Sequence, residues 1–195
     1  MHEYYIFHKP FQVISQFSPD GNKKTLSDYF PQISKDIYPV GRLDYDSEGL
    51  LLLTNDKSLT HQLLDPSFAH RRTYWVQVEG IITKSAIQQL QQGVTISIDG
   101  KSYRTKKAIA QILSAAPEVS ERIPPIRVRK NIPDSWISLT LTEGKNRQVR
   151  RMTAATGFPT LRLIRYAIGK LTLERIAPGQ YIMLNEEVKN LLYSK

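Results

Sequence analysis

Three carboxylate side chains lie within five residues of one another: Asp44, Asp46 and Glu48. Grouped carboxylates can hold a magnesium ion for nucleolytic cleavage. A single carboxylate can instead act as a covalent nucleophile. Carboxylates in a loop can also do no more than solvate a turn. Spacing alone does not choose among these three interpretations.

The residues around Asp44 predict how it is positioned. Residues 38–43 are typical of a short strand, and residues 45–49 are polar with turn-forming types. Residues 50–54 are a continuous apolar run of strand length, which favours a strand buried on both faces. Asp44 is therefore expected where a strand enters a tight loop, fixed by core packing on both sides.

The remaining elements are numerous short strands and a few short helices, without regular βαβ alternation. The patterns predict strands at 4–7, 11–17, 71–79, 108–113, 136–141, 161–167, 171–173 and 181–184, and a hairpin over 94–105. They predict helices at 25–30, at 57–64 with Leu64 facing inward, from Thr83 to Gly93, at 148–156 and from Asn185 to 193, and a long loop at 114–134. We expect an α+β fold with a large, mostly antiparallel or mixed sheet. The length of 195 residues fits one domain with two possible subdomains.

Positive charge is concentrated in one quarter of the chain. The whole chain carries a net charge of +9, and residues 121–170 contain eleven basic and three acidic side chains. That segment predicts a surface for a polyanion, and Arg side chains in it match phosphate oxygens. The loop and first helical turn at 145–151 are the densest part.

Several function classes lack their sequence signals. Cysteine is absent, which excludes disulfides, cysteine-ligated metals and a cysteine nucleophile. No phosphate-binding loop, dinucleotide-binding motif or zinc-hydrolase motif occurs, and the four histidines are scattered. No signal peptide or membrane-length apolar run occurs, so we expect a soluble cytoplasmic protein that does not bind membranes. What remains is a basic surface of the kind that binds RNA and a carboxylate presented by a turn.

Three long motifs resemble the RsuA branch of the bacterial rRNA pseudouridine synthases. The first is Gly41-Arg42-Leu43-Asp44 followed by residues 47–56, and the second covers residues 143–152. The third consists of residues 163–165 and 168–169. The similarity extends from about Phe7 to Leu184, and residues 124–169 are similar to members that act on the large ribosomal subunit. The order and length of the motifs identify the chain as a member of this family.

The resemblance implies a fold, a reaction and a substrate. It implies the pseudouridine-synthase catalytic fold, with two lobes around a basic cleft. The implied reaction converts a specific uridine of 23S rRNA to pseudouridine on a flipped-out nucleotide, without metal or cofactor. In this family the residue that matches Asp44 is the nucleophile.

The resemblance also assigns roles to other side chains. Tyr74 matches a tyrosine that lies against the base, with proposed roles in stacking and proton abstraction. Arg150 matches the basic residue that pairs with the nucleophile, and Leu163 matches an apolar residue under the base. Four arginines are expected to contact phosphates: Arg42, Arg147, Arg151 and Arg165.

Two departures from the family pattern and two alternative functions complete the expectations. Many members of the branch begin with a small RNA-binding S4 domain, and this sequence starts at the catalytic domain. The early Lys-Pro-x-Gly pattern has Gln12 in place of glycine, in a loop expected to lie away from the motif of the nucleophile. The alternatives are a non-catalytic ribosome assembly factor and a metal-dependent RNA nuclease. A monomer is expected, because no long apolar helix offers an interface.

Overall fold

The computed structural model describes residues 2–126 and 132–193. The described strands are β1 (Tyr4–Lys9), β2 (Val13–Ile14), β3 (Lys24–Thr25), β4 (Tyr38–Pro39), β5 (Glu48–Thr54), β6 (Arg72–Glu79), β7 (Thr95–Ile98), β8 (Lys101–Arg104), β9 (Ile109–Ile112), β10 (Asp134–Leu141), β11 (Thr160–Ile168), β12 (Leu171–Thr172) and β13 (Tyr181–Leu184). The helices are α1 (Lys57–Leu64), α2 (Lys84–Gln92), α3 (Gln148–Ala155) and α4 (Val188–Tyr193), with 3-10 turns at Leu26–Asp28 and Pro66–Phe68. Short helices among many strands confirm the predicted α+β class.

The chain divides into two compact units. Unit 1 comprises Met1–His70 and Ile164–Lys195, and unit 2 comprises Arg71–Leu163. The division falls inside β11, between Leu163 and Ile164. Each unit is described by itself below.

Unit 1 contains a mixed sheet whose centre is β5. The strand order is β13-β1-β5-β11, with β4 paired to β5 and β12 paired to β11. The β5–β11 pair is parallel and the other pairs are antiparallel. Every residue of β5 is buried, as the continuous apolar run predicts. One face of β1 and β5 packs with the preceding loops in a cluster of seven buried apolar residues: Phe7, Leu26, Phe30, Ile37, Leu43, Leu51 and Leu53.

Unit 2 combines an antiparallel sheet, a separate hairpin and two helices. The sheet has the order β6-β10-β9, and β7 pairs with β8. Thr83 caps α2 by accepting a hydrogen bond from Ala86 N, as predicted, and Gly93 ends the helix. The core of the unit packs the inward faces of these helices on the sheet, with Val76, Leu90, Leu139 and Met152 among its members.

Some local predictions were wrong. The strand expected at 38–43 is reduced to β4, and the strand expected at 11–17 is reduced to β2. The other residues of these two segments form loops that are hydrogen-bonded to each other, as described below. The helix expected at 25–30 is a single 3-10 turn. Leu64, expected to face inward, is 48% exposed because it is the last residue of α1 and lies beyond the buried pair Leu59 and Leu63.

In the described part of the chain, none of the helices combines the length and the apolar character that crossing a membrane requires. Arg127, Arg129 and Lys130, which contribute to the predicted basic segment, lie outside the described residues.

Candidate active site

The loop that carries Asp44 is held by hydrogen bonds on both sides of that residue. Before it, the Leu43 N–H donates to Ser15 Oγ at 3.1 Å, and the Ser15 hydroxyl donates to Leu43 O at 2.8 Å. After it, Ser47 N–H donates to Asp44 O at 3.0 Å and closes a turn. Leu43 packs in the apolar cluster of unit 1, and Asp44 itself is half-buried. The expectation of a carboxylate presented from a fixed turn is met, although the fixing group is Ser15 and not a preceding strand.

The loop after β1 is a second support for the same turn. Gln12 N–H donates to Tyr45 O at 2.8 Å. Gln12 has a φ of 57°, in the left-handed region that favours glycine. Gln12 therefore replaces the family glycine at a position whose backbone conformation suits glycine. The expectation that this departure lies away from the nucleophile's motif was wrong.

A close approach between β5 and β11 fixes the other end of the motif. Gly49 has a φ of 116°, and a Cβ atom placed on it would lie 2.4 Å from Arg165 O. Glycine is the only residue that permits this contact without displacing one strand. The parallel register pairs Gly49 with Arg165 and Glu48 with Ile164.

Beneath these loops lies a fully buried ammonium group. Lys9 Nζ donates to Pro10 O and to Val13 O, each at 2.8 Å. Burial lowers the pKa of Lys9 to about 7, because a charge removed from water is disfavoured. Glu48, Asp46 and Asp44 act in the opposite direction on the pKa of Lys9, in that order of strength, and Arg165 adds to the lowering. Lys9 is therefore in the electrostatic field of all three carboxylates.

The three carboxylates have different environments. Glu48 is buried at the start of β5, whereas Asp44 and Asp46 are half-buried. Within the described residues, which include all three, no group of three acidic or histidine side chains is arranged to hold a metal ion.

Two of the predicted phosphate-binding arginines lie in unit 1, in contrasting positions. Arg42 is exposed, immediately before the locked Leu43. Arg165 is buried, and its Nε donates to Leu50 O at 2.7 Å. In that position the guanidinium is hydrogen-bonded to the backbone of β5. It does not lie on an exposed surface, which a contact with a phosphate requires.

In unit 2, Tyr74 and Leu163 belong to the packed interior. Tyr74 lies on β6 opposite Leu139 of β10, half-buried against the core cluster. Leu163 is a buried member of the same cluster. The next cross-strand pair on β6 and β10 is Thr73 and Thr140, whose hydroxyl groups are hydrogen-bonded to each other at 2.8 Å. The sheet therefore gives Tyr74 a fixed position.

A buried carboxylate organises the second motif. Both oxygens of Glu143 accept hydrogen bonds: Oε2 from the Tyr103 hydroxyl, and Oε1 from Lys106 N–H at 2.9 Å and Gln148 Nε2 at 2.6 Å. The hydrogen bond to Glu143 is the main cause that raises the pKa of Tyr103. Gln148 Oε1 also accepts from Lys145 N at 2.9 Å, so the loop and the start of α3 are joined through side chains.

The three arginines of this motif have different contacts. Arg147 is exposed and has a φ of 51° at the start of α3. Arg150 is half-buried, with Nη1 3.5 Å from Thr160 O. The Arg151 guanidinium donates to Ser97 O of β7 and to Asn146 O and Oδ1, the last two at 3.1 Å. Arg151 thus already joins the hairpin to the loop, which is a structural role that the sequence did not predict.

Sequence analysis missed the supporting residues Lys9, Ser15, Glu143 and Gln148. Lys9, Glu143 and Gln148 each had a signal, because Lys9 belongs to the early Lys-Pro pattern and the other two belong to the second motif. Ser15 belongs to none of these motifs, and a serine in a loop is common on surfaces. The predicted residues are divided between the units: Arg42, Asp44 and Arg165 in unit 1, and Tyr74, Arg147, Arg150, Arg151 and Leu163 in unit 2.

Comparison with known proteins identifies the family. Residues 3–155 match the family described as RNA pseudouridylate synthase. The chain belongs to this family, and it is therefore an isomerase that acts on RNA.

Curated relatives and solved structures agree. A protein of Vibrio parahaemolyticus named "Ribosomal large subunit pseudouridine synthase E" is 48% identical over 90% of this chain and 71% of its own length. A protein of the same name from Xanthomonas axonopodis pv. citri is 49% identical over 89% of each chain. A structure titled "Crystal structure of pseudouridylate synthase" matches with a TM-score of 0.80 and 25% identity, over 98% of this chain and 74% of the other. The resemblance to bacterial rRNA pseudouridine synthases is confirmed.

Proposed function

We propose that the protein converts a specific uridine of 23S rRNA to pseudouridine, with Asp44 as the nucleophile. The bond from ribose C1′ to N1 of uracil breaks, the base rotates, and a bond forms from C1′ to C5. The proton on C5 is released and N1 gains one. Substrate and product have the same composition, so the reaction needs no net oxidant or reductant, and we propose that it proceeds without a cofactor.

The observation that carries the proposal is the way in which Asp44 is held. Hydrogen bonds fix the backbone on both sides of Asp44, and its side chain stays half-exposed. A nucleophile needs this combination, because a fixed backbone aims the carboxylate and exposure lets a substrate reach it. A carboxylate that merely solvated a turn would not require Ser15 and Leu43 to exchange two hydrogen bonds beside it.

The buried cation below the turn supports the same role. Lys9 donates to two backbone carbonyls of the loop after β1, and Gln12 of that loop bonds to Tyr45. Lys9 therefore stabilises the loop that supports the Asp44 turn. The carboxylates of the turn, Asp44 among them, favour the charged form of Lys9.

Roles for other residues rest on the sequence resemblance. Tyr74 would lie against the uracil and accept the C5 proton, Leu163 would pack under the base, and Arg150 would pair with the Asp44 carboxylate. An Arg suits this pairing because its charge is permanent. Arg42 and Arg147, which are exposed, are the arginines best placed to contact phosphates. Catalysis on a flipped-out base is expected, because C1′ and C5 are not accessible within a stacked helix.

The substrate is proposed from the relatives. The most similar curated proteins reported above carry names that specify the large ribosomal subunit, whose long RNA is 23S rRNA. A cytoplasmic location is part of the proposal, since ribosomal RNA is modified in the cytoplasm of bacteria. A monomeric state is proposed separately, on the sequence pattern alone.

A tritium-release assay tests the proposal. 23S rRNA transcribed without modification and labelled at uridine C5 is incubated with wild type, Asp44→Asn and the neighbouring control Asp46→Asn, all with EDTA. We expect release by wild type and by Asp46→Asn, and none by Asp44→Asn. Circular dichroism and RNA binding should show that Asp44→Asn folds and binds normally.

Three outcomes would contradict the proposal in different ways. Release by a folded Asp44→Asn protein would exclude Asp44 as the nucleophile. Magnesium-dependent cleavage that EDTA abolishes would favour the nuclease. Binding of the RNA by the wild type without release would favour an assembly factor.

A further inference from the structure

Exposed lysines occur on the β7–β8 hairpin and in two loops beside it. Lys101 on β8, Lys106 in the loop after β8 and Lys145 in the loop before α3 are exposed, and of these only Lys145 belongs to the predicted basic segment. Tyr103, which lies between Lys101 and Lys106 in the sequence, is half-buried. None of these three lysines forms an ion pair with a residue in the described part of the chain. Lys145 Nζ lies 5.2 Å from the centre of the Tyr103 ring. We call Lys101, Tyr103, Lys106 and Lys145 the Tyr103 surface.

The position of this surface is fixed by buried groups. Lys101 and Tyr103 are two residues apart on β8 and share a face of the strand. The Tyr103 hydroxyl and the Lys106 N–H both donate to the Glu143 carboxylate, which is 5% exposed. Burying a carboxylate costs free energy unless hydrogen bonds satisfy its oxygens. The hydrogen bonds that satisfy Glu143 come from different segments of the chain, and they therefore hold these segments together. The backbone segments that carry the lysines are therefore fixed by hydrogen bonds.

The buried carboxylate of Glu143 accepts its hydrogen bonds from groups other than the three ammonium groups. Both Glu143 oxygens are occupied by Tyr103, Lys106 N–H and Gln148. The hairpin itself contains one acidic residue, Asp99 at its exposed turn. Three exposed lysines, one of them with its ammonium over an aromatic ring, match the negative charges that recur along a phosphate backbone.

The same bonds connect the Tyr103 surface to the second motif. Gln148 is the first residue of α3, and Arg151 donates to Ser97 O of the hairpin. A phosphate bound at the surface would therefore be held at a fixed position relative to Arg147 and Arg150. This is the arrangement that places an RNA strand in register without reading its sequence.

We propose that the Tyr103 surface binds the phosphate backbone of the RNA substrate at nucleotides other than the one that is modified. The inference rests on the proposed action on RNA and adds a second contact area to it. An acidic protein is the competing partner, and it becomes an outcome of the test.

The test compares two variants with the same loss of charge. One combines Lys101→Gln, Lys106→Gln and Lys145→Gln. The control combines Lys24→Gln, Lys35→Gln and Lys57→Gln, which are three exposed lysines of unit 1 that form no ion pair in the described residues. Binding of unmodified 23S rRNA is measured by filter binding from 50 to 300 mM NaCl, and KM and kcat by tritium release.

We expect the surface variant to raise Kd and KM about tenfold and to lower the slope of log Kd against log salt by about 2, because each phosphate contact on single-stranded RNA contributes about 0.7. We expect kcat at saturating RNA to stay within about twofold of wild type, and the control to change Kd by less than about twofold.

Equal weakening by both variants would overturn the proposal, because net charge alone would then explain it. An unchanged Kd for the surface variant would also overturn it and would favour an acidic protein partner. If the wild type binds RNA but releases no tritium, the proposed function fails. Selective loss of binding in the surface variant would still support the surface in that case.

Discussion

The buried ammonium of Lys9 makes stability depend on pH in a direction that can be calculated. The pKa of Lys9 is about 7 in the folded chain, and its ordinary value of 10.5 applies to the unfolded chain. Between these two values the unfolded chain holds more protons than the folded chain. The free energy of unfolding should therefore rise with pH above about 7, and below that value Lys9 contributes no further dependence.

The size of the effect follows from the same two pKa values. For one group that titrates at about 7 when folded and 10.5 when unfolded, the linkage relation gives a gain of about 2 kcal/mol between pH 7 and pH 9. Lys9 is fully buried, so this figure is not reduced by solvent screening.

The assay is urea denaturation of wild type and Lys9→Met at pH 7, 8 and 9. Subtracting the variant from the wild type removes the contributions of other titrating groups. The wild type should gain about 2 kcal/mol relative to Lys9→Met across this range. At pH 7 the variant loses the hydrogen bonds to Pro10 O and Val13 O but no longer buries a charge. Lys106→Met, in which an exposed lysine is removed, serves as the control and should give a difference that does not change with pH.

A pH-independent difference between wild type and Lys9→Met would refute the reasoning. It would mean that the Lys9 ammonium gains as much from the nearby carboxylates as it loses by burial. The field of Glu48, Asp46 and Asp44 would then balance desolvation in setting the pKa of Lys9.

Two further predictions concern the loops around Asp44. Gln12→Gly should raise the free energy of unfolding by about 0.5–1 kcal/mol, because the left-handed backbone at this position is costly for any residue with a Cβ atom. The control is Gln16→Gly, at a position without positive φ, which should lower the free energy of unfolding measured by urea denaturation. Ser15→Ala should destabilise by about 1–3 kcal/mol because Leu43 loses two buried hydrogen bonds. Ser47→Ala should leave stability unchanged or raise it, because the buried Ser47 hydroxyl has no hydrogen-bond partner among the described residues and its removal ends a desolvation cost. Equal effects of the two serine variants would contradict this assignment.

The sequence predicted the regular elements of this fold well, because those elements carry periodic or continuous apolar patterns. The buried strand β5, the capped helix α2 and the hairpin β7–β8 were all expected at their observed places. The strands expected at 11–17 and 38–43 failed for a common reason. Ser15 and Gln12 bond across to the Asp44 turn, and such long-range bonds between loops leave no periodic pattern in the sequence.

The candidate site was predicted only in part. The position of Asp44 in a fixed, half-exposed turn could be inferred from the residues on either side of it. The roles of the arginines could not, because residue type does not show what a guanidinium contacts. Arg165 and Arg151 donate to backbone oxygens inside their units, whereas Arg42 and Arg147 are exposed.

The division among the arginines bears on how RNA is held. If two of the four predicted arginines support the fold, only Arg42 and Arg147 are left to contact phosphates. Further phosphate contacts must then come from cations other than the four arginines. The exposed lysines of the Tyr103 surface are suited to this, because a buried carboxylate fixes their segments and no described acid pairs with them. The two kinds of cation then have different tasks. Arg165, Arg151 and Lys9 bond to backbone oxygens and hold strands and loops in place, and exposed lysines and arginines supply the salt-dependent attraction. The salt dependence of binding should consequently follow the exposed lysines, and the stability of the fold should follow Lys9.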